Sequence, residues 1–160
     1  MLVVGIDPGT NGAIAVLDSA NPDSVALLNL KNNEVWYIWH WLNDLKLVEK
    51  KCRVWVEDVH SMYGMSAKSN FGFGRNFGTV LTIGELLTGA FPRTVTPKIW
   101  QKYVGVTVKG KAIKKQVGEI AKNLYPNATL HGKRGGLLDG RADALMIAYY
   151  GLRHRRTEDK

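Results

Sequence analysis

Apolar residues gather in short runs. Leu2 to Ile6, Ala13 to Leu17 and Val25 to Leu30 are β-rich stretches parted by Gly, Asn and Pro, the pattern of a three-stranded meander. From Glu34 to Glu49 the spacing changes, with apolar side chains at Val35, Ile38, Trp39, Leu42, Leu45 and Val48, and this predicts a helix. Arg53 to Glu57 returns to strand. Asp58 to Phe77 is rich in Gly, Ser and aromatic residues and reads as a loop, while Thr79 to Ala90 reads as a helix. On that helix Val80, Ile83 and Leu87 with the small Gly84 make a face suited to packing against a second copy across a two-fold axis. Arg93 to Val95 forms a short strand. Three helices follow, near Lys98 to Tyr103, at Ala112 to Leu124 before Pro126, and from about Leu138 to Leu152. Strands followed by helices in this order predict an α/β fold, a mixed five-stranded sheet with helices on both faces. One domain is expected over residues 1–152, with a charged, disordered tail at 153–160.

Length and composition fit that picture, since 160 residues with 45% hydrophobic side chains can bury a core. No apolar run approaches a membrane span and the start of the chain lacks a leader pattern, so a soluble cytoplasmic protein is expected, in the host cytoplasm if it is phage-encoded. The lone Cys52 excludes an intrachain disulfide and reads as a strand thiol. The net charge of +8 matters less than where it lies. Between Leu86 and Leu138 ten Lys or Arg residues face a single acid, Glu119. A solvated helix face mixes signs, so this segment points to a polyanionic partner, nucleic acid first.

Four acids carry the candidate chemistry. Asp7 ends the first strand, Glu57 ends the fourth, and Asp139 and Asp143 open the last helix. A carboxylate finishing a buried strand is costly unless something positive meets it. If strands one and four are neighbours, both carboxylates open on one edge of the sheet; Asp139 and Asp143, four apart, share a helical face. Converging acids suit a hard divalent cation with oxygen ligands, Mg²⁺ with Mn²⁺ as substitute, and a two-metal phosphodiesterase reaction. Taken singly, Asp139 is an ordinary N-cap, Asp143 a first-turn acid and Glu57 a surface acid. Asp7 is harder to dismiss, because Gly5-Ile6-Asp7-Pro8-Gly9-Thr10-Asn11-Gly12 builds a tight turn with the acid at its mouth.

That octapeptide resembles the first-strand motif of the RuvC-type Holliday junction resolvases. Val56-Glu57-Asp58 resembles their second acidic strand, Gly89 to Val95 with Thr96-Pro97-Lys98 the strand and turn before their basic segment, Ala112 to Val117 the helix start presenting a DNA-contacting lysine, and Ala142 to Ala148 their last-helix motif. The match runs in order from residue 2 to about 151, and size and divergence suggest a phage-type member. The resemblance implies an RNase H-like fold, a homodimer, and paired nicks across a four-way DNA junction with Mg²⁺ or Mn²⁺. Asp7, Glu57 and Asp143 match catalytic, metal-binding acids, and Lys114 matches the DNA-contacting lysine, with Lys111 and Lys115 close by. One position departs: the bacterial pattern has its last two acids three residues apart, whereas here that position is Gly140 and the available acid is Asp139.

Further DNA contacts are expected from Lys98 and Lys102 and from the segment holding Tyr63, Phe71, Phe73 and Arg75, whose rings suit unpaired bases at a branch point. Phe77 is the ring expected to seal the core. Acids of this kind also serve ribonucleases acting on RNA or hybrids, a YqgF-type enzyme being the nearest rival. A non-catalytic junction-binding module would keep the basic surface, but four acids beside DNA would then oppose binding.

Overall fold

The computed structural model describes residues 1–47, 50–59, 64 and 66–154. Strands β1 (Leu2–Asp7), β2 (Ala13–Asp18) and β3 (Asn21–Asn29) form the antiparallel meander, followed by α1 (Val35–Asp44) and β4 (Cys52–Glu57). Helix α2 (Ala67–Thr88), strand β5 (Arg93–Val95) and helices α3 (Pro97–Val104), α4 (Ala112–Leu124) and α5 (Asp139–Arg153) complete the chain. The sheet order is β3-β2-β1-β4-β5, with β4 parallel to both β1 and β5. A mixed five-stranded sheet is therefore what forms.

The strands read as continuous apolar runs because both faces are covered. Val3, Leu17, Trp55 and Val95 face one core with Trp100, Val117 and the buried side of α5. Val4, Ile6, Val16, Val54 and Val56 face the other, with Ile38 and Leu42 of α1 and Val80, Ile83 and Leu87 of α2. Helix α5 lies directly on β1. A β-carbon at Gly5 would stand 2.3 Å from the Ala144 carbonyl oxygen and from the Ala148 nitrogen, so only glycine permits this backbone-to-backbone approach.

Three expectations need correction. The loop extending to Phe77 is helical from Ala67 onward. Its glycines favour a loop, yet a helical glycine costs only about 1 kcal/mol relative to alanine. Ser66 caps the helix by accepting a hydrogen bond from the Ser69 N–H at 3.1 Å, and Phe77 packs on the second core beyond. The face assigned to a second copy is spent within the chain: Val80, Ile83, Gly84 and Leu87 are buried, and Gly84 lies against Pro92 and Val54. Helix α1 stops at Asp44, short of residue 49, because Lys46 takes a positive φ of 58° and returns Leu47 to the core, its N–H donating to the Leu42 carbonyl. Residues 48, 49 and 155–160 lie outside the described set.

Candidate active site

Parallel pairing of β1 with β4 runs in register from Leu2 opposite Cys52 to Ile6 opposite Val56. Asp7 and Glu57 are the next residues of the two strands, so both emerge at the same sheet edge. The Asp7 carboxylate accepts a hydrogen bond from the Gly9 N–H at 2.8 Å, and the Gly12 N–H donates to the Gly9 carbonyl at 2.8 Å, closing the turn that the Pro-Gly sequence anticipates. A β-carbon at Gly12 would fall 2.0 Å from the Asp7 carbonyl oxygen.

The first turn of α5 is pressed against this turn. A β-carbon at Gly140 would lie 2.0 Å from the Asn11 carbonyl oxygen. The departure from the family pattern thus has a steric reason, since no acid fits at residue 140 while the β1–β2 turn sits there. Asp139 stands one residue earlier, at the edge of the contact, and Asp143 one turn later on the same face. Arg141 ties this end of α5 down, donating to Asn29 Oδ1 at 2.7 Å and to the Thr129 carbonyl at 2.9 Å.

The four carboxylates act on one another. Burial raises the Asp143 pKa to about 8, with Asp7, Glu57 and Asp139 adding repulsion and Lys114 opposing them. Glu57, buried, is pushed up to about 7 by desolvation and then by Asp7, against a hydrogen bond from Trp100 that favours its charged form. Asp7 is raised, first by burial and further by Asp139, while the Gly9 N–H and Lys114 hold it down. Near neutral pH the cluster carries negative charge that its surroundings do not cancel.

Two side chains meet that charge. Lys114, on the first turn of α4, forms an ion pair with Asp139 and is also attracted by Asp143 and Asp7. Trp100, fully buried on α3, donates its indole N–H to Glu57 Oε1 at 2.8 Å. Sequence reasoning passed over Trp100. The available signal was Pro97 opening a helix immediately after β5, which turns the first inward-facing aromatic toward the neighbouring β4 end.

The donor set is all oxygen, as a hard divalent cation requires. Among the described residues no three Asp, Glu, His or Cys side chains are gathered tightly around one point. The cluster matches a hard cation in donor type and charge, but the described side chains do not close around an ion position.

The remaining candidates disperse. Lys111 is exposed at the head of α4, and Lys115 points away from the acids, 3.9 Å from Glu119 along its own helix. Lys98 and Lys102 are exposed on α3 and border a different groove. Phe71, Phe73 and Arg75 lie on the first half of α2, where Phe71 is 77% exposed and Phe73 half-buried. Arg75 lines a cavity of about 390 Å³ with Thr10, Lys31 and Asn76, beside the β1–β2 turn. Tyr63 lies outside the described residues.

No family model matches the chain and no curated protein matches it in sequence. Its fold does match solved structures. RuvC from Thermus thermophilus in complex with a Holliday junction substrate is similar with a TM-score of 0.60 and 19% identity, over 92% of this chain and 90% of that one. A second Thermus thermophilus RuvC structure gives 0.58 and 18%, over 94% and 95%. The chain thus has the RNase H-like fold of RuvC, with Asp7, Glu57, Asp139 and Asp143 assembled at one edge of its sheet.

Proposed function

We propose that this protein is a metal-dependent endonuclease that nicks branched DNA and resolves four-way junctions by paired cuts. The observation that carries the reading is the placement of Asp7 and Glu57 at the ends of paired strands beside Asp139 and Asp143 on the first turns of α5, in a fold shared with a protein solved on a Holliday junction substrate. Neighbouring acids withdrawn from water, Glu57 buried and Asp7, Asp139 and Asp143 half-buried, are costly to ionise unless a cation and an anionic substrate complete the charge balance.

Asp7, Glu57 and Asp143 would hold Mg²⁺ or Mn²⁺, with Asp139 at the margin. When bound, such ions supply an acidified water as nucleophile and neutralise charge on the leaving 3′ oxygen. The chain's own residues prepare the site. Trp100 orients Glu57 and stabilises its ionised form, and the Gly9 N–H does the same for Asp7. Lys114 holds Asp139 until phosphate arrives and is then placed to pair with phosphate instead. Paired cutting needs two copies. With Val80 and Ile83 buried, the contact proposed is the outer side of α1 and α2, where Leu86 is 63% and Trp36 60% exposed.

A cleavage panel of labelled four-way junction, three-way junction, flap, duplex and RNA–DNA hybrid, each with Mg²⁺ and with Mn²⁺, tests the reading. Junction cleavage that Asp7→Asn and Glu57→Gln abolish while retaining junction binding is the expected result. Preferential cutting of the hybrid would instead mark a ribonuclease.

A further inference from the structure

The carboxyl-terminal end of α5 builds an aromatic surface that the carboxylate cluster does not use. His154 stacks on Tyr150 with ring centres 4.1 Å apart and planes at 24°, and Tyr103 of α3 stands edge-on to both, at 5.2 Å and 5.1 Å. Tyr150 is buried and anchors the group, while Tyr103 is 43% exposed and His154 is exposed. These rings line a groove of about 520 Å³ whose other walls are Lys98, Ile99 and Lys102.

Three features select the occupant. The lining is aromatic, with Tyr103, Tyr150 and His154 in contact with one another, and aromatic rings bind other flat rings. Lys98 and Lys102, one turn apart on α3, share a helical face, and among the described residues neither forms an ion pair. Among the described residues no acid lines the groove. A ligand that is both planar and anionic satisfies all three, and in a nucleic acid only an unpaired base offers its face. Paired bases in duplex keep theirs inside the stack.

We propose that this groove binds single-stranded DNA, an unpaired base packing on Tyr103 and His154 while the flanking phosphates pair with Lys98 and Lys102. Counting ten residues from Asp143 to Arg153 at 1.5 Å each, the end of α5 beside His154 lies about 15 Å from Asp143 along the helix axis, so the groove is separate from the cluster. It would hold a strand displaced from the branch, away from the point of cutting.

The test uses a fluorescently labelled six-nucleotide thymidine strand and an abasic strand of equal length and charge, both titrated without divalent metal. The parent is expected to bind the thymidine strand about 5- to 160-fold more tightly, the range one stacked base supplies. Tyr103→Ser and His154→Ser should each abolish the preference, and Tyr103→Phe, which keeps the ring, should retain it. Lys98→Gln should weaken both strands alike. Equal binding of the two strands by the parent, or an undiminished preference in Tyr103→Ser, overturns the assignment. Cleavage plays no part in this readout. A protein that discriminates base from abasic strand yet cuts no junction would defeat the nuclease reading and leave the groove's assignment standing.

Discussion

Gly140→Ala tests whether the contact between the β1–β2 turn and α5 sets the alignment of the acids. The added β-carbon would sit 2.0 Å from the Asn11 carbonyl oxygen, and ordinary contact begins at 3.4 Å. Helix and turn must therefore separate by about 1.4 Å, and both partners are backbone, so no side chain can swing aside. Overpacking of this kind costs about 1–3 kcal/mol in stability. A misplacement of about 1 Å can cost roughly a hundredfold in rate. The shift falls between Asp7 on one side and Asp139 and Asp143 on the other, so the loss in activity should exceed what unfolding explains. Urea denaturation measures the first quantity. Single-turnover cleavage of a labelled four-way junction, at a temperature where circular dichroism shows the variant folded, measures the second. Gly136→Ala is the control, because a β-carbon there meets nothing within 4 Å. Parent-like stability and cleavage within twofold of the parent in Gly140→Ala would refute the idea that this contact aligns the site.

Three other outcomes are expected. Because Glu57 and Asp143 have pKa values raised to about 7 and about 8, their protonated forms are favoured by folding, so their contribution to the stability of the metal-free protein is full below the ordinary carboxyl range and is lost as pH rises through 7 to 8. Thermal melts in EDTA should show a lower Tm at about pH 8.5 than at about pH 5.5, and Mg²⁺ should narrow the gap; a Tm independent of pH and of metal would contradict the coupling described. Gly72→Ala, at a helical position where a β-carbon meets nothing within 4 Å, should stabilise the fold by about 1 kcal/mol, and a destabilisation in urea would argue against helix there. Leu86→Lys, on the exposed side of α2, should turn the proposed dimer into a monomer in sedimentation without lowering Tm; a dimer that persists would move the interface elsewhere, and a parent that is already monomeric would remove the dimer from the proposal.

Much of this molecule was legible in one dimension. Apolar runs ending in Asp7 and Glu57 announced buried strands with costly ends, and Gly-Ile-Asp-Pro-Gly encoded its turn locally through an Asx hydrogen bond from the Gly9 N–H to Asp7. The bounds of α4 also followed from spacing and Pro126. These features depend on neighbours within a few residues, which periodicity records. Other features depend on partners distant in sequence. The amino-terminal half of α2 looked like loop because Gly72, Gly74 and Gly78 lower helix propensity, and only the Ser66 cap and the docking of Phe77 and Val80 on the sheet outweigh that cost. Val80, Ile83 and Leu87 looked like an outer face because an apolar stripe does not say whether it meets its own sheet or another molecule. Asp139 replaced an expected acid at residue 140 for a reason held in the Asn11 carbonyl, more than a hundred residues away. The Trp100 hydrogen bond to Glu57 spans 43 residues, and Lys114 rather than Lys115 reaches Asp139, because the face of α4 that carries Lys114 meets the start of α5. Local preference and burial are written in the order of residues; which surfaces meet is settled only when the whole sheet has closed over its two cores.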